Sequence, residues 1–147
     1  MEYKRVVIYV DKKNNLIVIA NGLIKKWGGI IKEIDRVEQL NFPYEEKGIE
    51  EVLLQMMSKW NTLAPEEVGL TPLEKFLGVK GYAKAVKGRK CIDFNWRINE
   101  GYSITPTKRE KTGFVSIKDK RIDLGVKIMP GKLYSALIEA IEQSTFL

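Results

Sequence analysis

Two short runs of β-branched residues near the start of the chain predict a β-hairpin. The first run covers Tyr3–Val10, the second covers residues 16–20, and the polar segment 11–15 separates them. Apolar runs of this length, bounded by polar turn residues, are typical of strands. The apolar spacing of Ile30–Leu40 suits a helix or a strand, and its place after a glycine pair favours a third strand.

The middle of the chain has the three- and four-residue spacing of amphipathic helices. Apolar residues recur in this way up to Trp60, after acidic residues that suit a helix N-terminus, and they predict a helix over residues 46–60. Thr71 and Glu74 are spaced as a capping box and predict the start of a short helix. Further helical segments are predicted at residues 81–86 and 133–141.

The second half of the chain contains the alternation of a half-buried strand. Over residues 90–98 every second residue is apolar, which assigns Phe94 and Trp96 to the core face and Cys91 and Asp93 to a polar face. A glycine-containing hairpin turn follows. Shorter strands are predicted at residues 102–107, 114–117 and 121–124.

Because the strands come in runs and do not alternate with helices, the pattern predicts an α+β fold. We expect a mostly antiparallel sheet, an N-terminal hairpin plus a C-terminal meander, with helices packed on it. A length of 147 residues suits a single domain, residues 1–147. No apolar run approaches the roughly 20 residues that span a membrane. No signal sequence is recognisable, so we expect a cytoplasmic protein with no membrane partner.

The composition excludes most familiar catalytic and metal-binding constellations. The chain has no histidine and one cysteine, Cys91. Histidine-based catalysis, an internal disulfide and cysteine clusters for zinc or iron–sulfur centres are therefore ruled out. We expect no metal and no cofactor, and the composition leaves open chemistry by carboxylate, lysine, tyrosine or arginine side chains, or no chemistry. A hydrolase without histidine would need carboxylates such as Asp93, Glu100 and Asp123 clustered in a pocket with raised pKa values.

The net charge of +6 belongs entirely to the second half of the chain. Residues 1–73 contain ten basic and eleven acidic residues, whereas residues 74–147 contain fifteen and eight. This excess favours a polyanion or an acidic protein surface as partner. The densest basic segment, residues 75–90, could bind nucleic acid or a protein, or be a solvated surface. The candidate patch in it consists of Lys80, Lys84, Lys87, Arg89 and Lys90.

An acidic stretch accompanies the amphipathic helix. Its first members are Glu45, Glu46, Glu50 and Glu51. These carboxylates could mimic a polyanion and cover the basic cleft of a toxin or nuclease. The plainer interpretation is an ordinary acidic first turn and an exposed helix surface.

From about residue 43 onward, the layout resembles the CdiI family, the immunity proteins of bacterial contact-dependent growth inhibition systems. The resemblance covers most of that part of the chain and consists of packing and turn motifs. In chain order they are Lys59-Trp60, Thr71-Pro72-Leu73-Glu74-Lys75-Phe76-Leu77-Gly78-Val79, Ile104-Thr105-Pro106-Thr107, Gly113-Phe114-Val115, Arg121-Ile122-Asp123-Leu124 and a final leucine-rich helix.

The resemblance implies a small cytoplasmic binding protein with no catalysis of its own. Its expected partner is the cognate CdiA C-terminal toxin domain, which is often a nuclease. Such a protein would neutralise the toxin by covering its active site or its target-binding surface. The net positive charge leaves the contact open: the acidic stretch could meet a basic toxin, or the basic second half could meet an acidic one.

Overall fold

The computed structural model describes residues 3–146, and within them seven strands form one sheet in which every pairing is antiparallel. Four α-helices accompany the sheet. The strands are β1 (Tyr3–Val10), β2 (Leu16–Ile24), β3 (Ile30–Leu40), β4 (Lys90–Arg97), β5 (Gly101–Glu110), β6 (Gly113–Ser116) and β7 (Ile122–Gly125). The helices are α1 (Glu46–Ser58), α2 (Pro72–Leu77), α3 (Tyr82–Ala85) and α4 (Lys132–Gln143). The predicted α+β class and each predicted element are confirmed.

The strand order β3-β2-β1-β4-β5-β6 places the N-terminal hairpin in the middle of the sheet. β1 pairs with β2 on one side and with β4 on the other, so that Val6 lies between Ala20 and Phe94. β4, β5 and β6 form the expected meander. β7 returns to pair with the first half of β5, whereas β6 pairs with the second half. The long strand β5 therefore joins both short strands to the sheet.

The first face of the sheet packs against α1 and α4. Phe94 of β4 is fully buried there, as the alternation in β4 predicts, and so is Ile104 of β5. Leu53 of α1 and Leu137 of α4 are also fully buried against this face. Burial of side chains of this size stabilises the fold by about 1.5–3 kcal/mol each, before entropy is counted. This face holds the larger of the two apolar cores.

The second face packs against α2 and α3, and it is also covered. Cys91 is 3% exposed and Asp93 is 8% exposed, although the alternation in β4 assigns both to a polar face. The alternation in β4 identifies the face whose side chains are all apolar, but it does not show that the opposite face is exposed. Leu73 of α2 and Val86, which follows α3, pack on Tyr9 and Cys91. They exclude solvent from this face of the sheet. The sheet thus lies between two helical layers.

The capping box that the sequence predicts at the start of α2 is present. The Thr71 hydroxyl accepts a hydrogen bond from the Glu74 backbone N–H, and the Glu74 carboxylate accepts one from the Thr71 N–H. The second Glu74 oxygen accepts the Gly81 N–H at 2.8 Å, which ties α3 to α2. Within residues 3–146 no helix is long and apolar enough to cross a membrane.

Candidate functional site

The acidic residues at the start of α1 do not share one environment. Glu45, Glu46 and Glu51 are exposed, whereas Glu50 is half-buried. The Glu50 carboxylate accepts the backbone N–H of Gly131 at 3.1 Å and that of Tyr134 at 3.0 Å. Glu50 therefore caps the N-terminus of α4, where no other side-chain cap is present. The other three carboxylates stay available to a partner.

The basic candidates also divide into free and engaged side chains. Lys80, Lys84 and Lys87 are exposed, and Arg89 and Lys90 are half-buried. Arg89 Nε donates to the carbonyl of Ala85, and Lys90 Nζ donates to the carbonyl of Ile141 at 2.7 Å. Arg89 therefore connects the segment before β4 to α3, and Lys90 connects the start of β4 to α4.

A cavity of about 410 Å³ lies on the second face of the sheet, and sequence reasoning did not find it. Its floor is formed by β1, β3 and β4, and α2 and Tyr82 line its side. Residues 61–71, which connect α1 to α2, contribute the rim. Two hydrogen bonds to β2 fix the start of this connection. The Asn61 N–H donates to the carbonyl of Asn21, and the Asn61 side-chain oxygen accepts the N–H of Leu23. A cavity of this size is within the range of small-molecule and anchor-residue pockets.

Charged and phenolic side chains form the cavity floor. Arg5 Nη2 lies 3.1 Å from Asp93 Oδ1. The Tyr9 hydroxyl donates to Glu33 Oε2, and it lies 2.9 Å from the Tyr82 hydroxyl. Three buried atoms, Arg5 Nε, Glu33 Oε1 and Asp93 Oδ1, have no hydrogen-bond partner among residues 3–146, although Asp93 Oδ1 is within ion-pair distance of Arg5. Unsatisfied buried groups cost stability and are uncommon in native proteins.

Burial dominates the electrostatics of this floor. It raises the pKa of Glu33 to about 7, against the hydrogen bond from Tyr9 and the nearby Arg5 charge, which lower it. Burial also raises the pKa of Asp93, and the Arg5 guanidinium opposes that shift. The Cys91 thiol beside them is completely enclosed, and burial raises its pKa well above the ordinary value. A thiol of this kind is unreactive near neutral pH.

The rim of the cavity combines ion pairs with exposed apolar side chains. Lys75 Nζ lies 3.0 Å from Asp35 Oδ2 and 2.6 Å from Glu66 Oε1, which joins α2, β3 and the 61–71 connection. Lys75 is therefore not part of a free basic run. Exposed apolar side chains on the same connection are Leu63, Val68 and Leu70, at 37%, 83% and 38% exposure. Apolar rims of this kind occur at sites where other molecules bind.

Of the three carboxylates considered above for a hydrolase without histidine, only Asp93 lines the cavity. Asp123 is exposed and pairs with Arg121 at 3.1 Å, and Glu100 is exposed in the β4–β5 turn. The carboxylate that joins Asp93 is Glu33, which the sequence does not single out. No local signal distinguishes Glu33 from the other charged residues of β3, because this strand does not alternate strictly between apolar and polar residues.

Two solved structures are similar to this chain over nearly its whole length. One is a protein of unknown function from Neisseria meningitidis, with 13% identity, a TM-score of 0.75 and coverage of 98% of this chain and 96% of that one. The other is a chain of the CdiA-CT/CdiI toxin and immunity complex from Yersinia pseudotuberculosis, with 13% identity, a TM-score of 0.70 and coverage of 99% of each. No protein-family profile and no curated protein sequence matches this chain.

At this level of identity the likeness shows a shared fold. The fold is one found in a chain of a CdiA-CT/CdiI toxin and immunity complex. The resemblance to the CdiI family, which the packing and turn motifs predict, is therefore confirmed for the fold.

Proposed function

We propose that this protein is an immunity protein that binds and neutralises a CdiA C-terminal toxin domain. The observation that carries the proposal is the fold it shares, end to end, with a chain of a CdiA-CT/CdiI complex. The absence of histidine from the sequence agrees with a protein that acts by binding. Neutralisation would be steric: the bound protein covers the active site of the toxin or its target-binding surface, and its charges speed the encounter.

The first candidate contact surface is the exposed acidic start of α1. Glu45, Glu46 and Glu51 project from one end of the helix and could meet a basic cleft on a nuclease toxin. Glu50, the fourth residue of the predicted set, contributes charge to the same surface while it caps α4. A substitution that tests this surface should therefore be made at Glu51 and not at Glu50.

The second candidate surface is the rim of the cavity. Leu63 and Leu70 line the cavity and are exposed at 37% and 38%, and Val68, between them on the same connection, is 83% exposed. Protein interfaces concentrate binding energy in a few apolar or aromatic anchors that seat in a pocket. A recess beside exposed apolar residues therefore suits an anchor residue from the toxin.

The test is co-expression with the C-terminal domain of the effector encoded beside this protein. If the proposal is right, the domain alone arrests growth, and co-expression of this protein restores growth and yields a co-purifying complex. A toxic domain that stays toxic beside soluble, folded protein, with no complex formed, would refute the proposal.

The same assay locates the contact. E51K should slow association and weaken rescue if the toxin meets the acidic surface, because charge reversal replaces attraction by repulsion. L70D should weaken rescue if the toxin meets the cavity rim, because Leu70 lines the cavity and the variant places a charge in an apolar contact. K47E, which adds negative charge to the same surface, is the reverse test of E51K and should not slow association if the toxin meets that surface.

A further inference from the structure

Cations from three separate parts of the sequence meet at one end of the sheet. β1 ends at Val10, which pairs with Lys90 at the start of β4. β5 runs antiparallel to β4, so its last residues lie at this same end, beyond the pair Ile92–Pro106. The turn after β1 contributes Lys12 and Lys13. We call this set the basic end: Lys12, Lys13, Lys87, Arg89, Lys90, Lys108 and Lys111.

The C-terminal residues hold part of the basic end in place. The Thr145 N–H donates to the carbonyl of Thr107 at 3.1 Å, which fixes the chain beside β5. The Phe146 ring then lies under two ammonium groups, 5.1 Å from Lys90 Nζ and 5.8 Å from Lys12 Nζ. Phe146 is 36% exposed. The structure therefore places a partly open aromatic ring among cations that are far apart in the sequence.

Few acids neutralise this surface. The nearest acids are Asp11, Glu110 and Glu142, which follows Ile141 at the end of α4, and they leave a net charge of +4 for the basic end with these three acids included. The Asp11 carboxylate accepts the N–H groups of Lys13 and Asn15 at 2.8 and 2.9 Å, so it is occupied in shaping the turn. Glu110 lies 3.8 Å from Lys108, a loose and exposed ion pair. Exposed pairs of this kind contribute little and leave the cations accessible.

We propose that the basic end binds single-stranded nucleic acid through its phosphate groups, with a base stacked on Phe146. Lysine and arginine neutralise phosphates and release counterions, and an aromatic ring beside them accepts a base of any sequence. An acidic protein surface would use the cations but would not need the ring. This site lies on residues outside both candidate toxin-contact surfaces, and it does not depend on the immunity function.

The test measures fluorescence anisotropy of labelled oligouridine and oligothymidine with the full-length protein at increasing salt. We expect binding whose logarithmic affinity falls linearly with the logarithm of salt concentration. The variant K13A/K87A/K108A removes three exposed lysines and should lose about tenfold or more in affinity. Its salt slope should be shallower by about 2, at roughly 0.7 per lost contact to a single strand. The oligonucleotide that binds more tightly shows whether the site prefers RNA or DNA.

Two further variants separate this site from general positive charge. K25A/K127A/K132A removes three exposed lysines at the opposite end of the sheet and should leave affinity within about twofold. F146A should weaken binding by at least about fivefold with an unchanged salt slope, because it removes stacking and no charge.

Three results would overturn the proposal. They are no oligonucleotide binding at low salt, equal losses in the two triple-lysine variants, and binding to poly-glutamate as tight as to oligouridine. The toxin co-expression assay tests the immunity function separately from nucleic-acid binding. K13A/K87A/K108A should still rescue growth, whether or not it binds nucleic acid.

Discussion

The carboxylate of Glu50 in α1 accepts the backbone N–H of Tyr134 in α4 at 3.0 Å, so one helix caps the other. The second Glu50 oxygen accepts the Gly131 N–H at 3.1 Å. The first N–H groups of a helix have no partner within the helix, and its N-terminus attracts negative charge. A residue that the sequence places in an acidic binding patch therefore also joins the two helices on the first face of the sheet.

We predict that E50A lowers the free energy of unfolding by about 1–2 kcal/mol, the cost of losing a charged helix cap. E51A is the matched control, because Glu51 is exposed and no cap depends on it, and it should change stability by less than about 0.5 kcal/mol. Urea unfolding followed by circular dichroism measures both. Equal stabilities for the two variants would show that the contacts with α4 contribute nothing.

Glu33 makes stability depend on pH. Its pKa is about 7 in the folded protein against an ordinary 4.5, so the folded state holds this proton more tightly than the unfolded state does. Stability should therefore fall as pH rises from about 4.5 to 7, by roughly 1–3 kcal/mol at 1.36 kcal/mol per pKa unit and with allowance for partial solvation.

The variant E33Q keeps an acceptor for the Tyr9 hydroxyl and removes the ionisation. We expect it to be more stable than the wild type at pH 8 and equal to it near pH 5. Thermal unfolding at a series of pH values compares the two proteins. A wild-type stability that rises between pH 5 and 7, with the E33Q profile parallel to it, would contradict a buried, reluctantly ionised Glu33.

Gly101 at the start of β5 touches the chain that follows β7. A Cβ atom at this position would lie 2.2 Å from the carbonyl oxygen of Gly125, and the backbone φ is +86°. G101A should therefore destabilise the protein by more than about 2 kcal/mol, because both the clash and the left-handed backbone oppose it.

G28A is the control for G101A. Gly28 has a similar φ of +76°, but nothing lies within 4 Å of its would-be Cβ. G28A should lower the free energy of unfolding by only about 1–2 kcal/mol, the cost of a left-handed backbone for alanine. Chemical denaturation measures the difference between the two variants, and a G101A variant no less stable than G28A would show that β7 moves away freely.

Cys91 reports on the integrity of the second face. Because the thiol is 3% exposed and burial raises its pKa, we predict no reaction with a thiol reagent such as Ellman's reagent in native buffer. Full reaction should appear only in denaturant. Rapid modification of the native protein at pH 8 would mean that α2 and α3 open from the sheet.

Local patterns in the sequence predict the elements of this fold because each element carries its own signal. Thr71 and Glu74 are spaced to satisfy each other's backbone groups, and the structure contains both hydrogen bonds. The alternation through Phe94 marks the face that α1 and α4 cover. These signals depend on neighbours within a few residues, which is why they can be identified without the rest of the chain.

The cavity and the basic end could not be predicted in this way, because each joins residues that are distant in sequence. Arg5 and Asp93 are brought together by the pairing of β1 with β4, and Glu33 reaches them from β3. Lys12 and Lys90 meet at Phe146 only once the sheet has formed. The sequence also presents residues 75–90 as one basic run. In the structure Lys75 pairs with Asp35 and Glu66 at the cavity rim and does not belong to that run.

The immunity function is the central claim, and direct binding tests it most sharply. The purified full chain would be titrated into the CdiA C-terminal toxin domain encoded beside it, in a calorimeter at physiological salt. The account predicts a single-site complex with a Kd of about 10⁻⁷ M or tighter, the range of specific protein complexes of standard interface size. No heat of binding and no complex on gel filtration at micromolar concentrations of both folded proteins would contradict it.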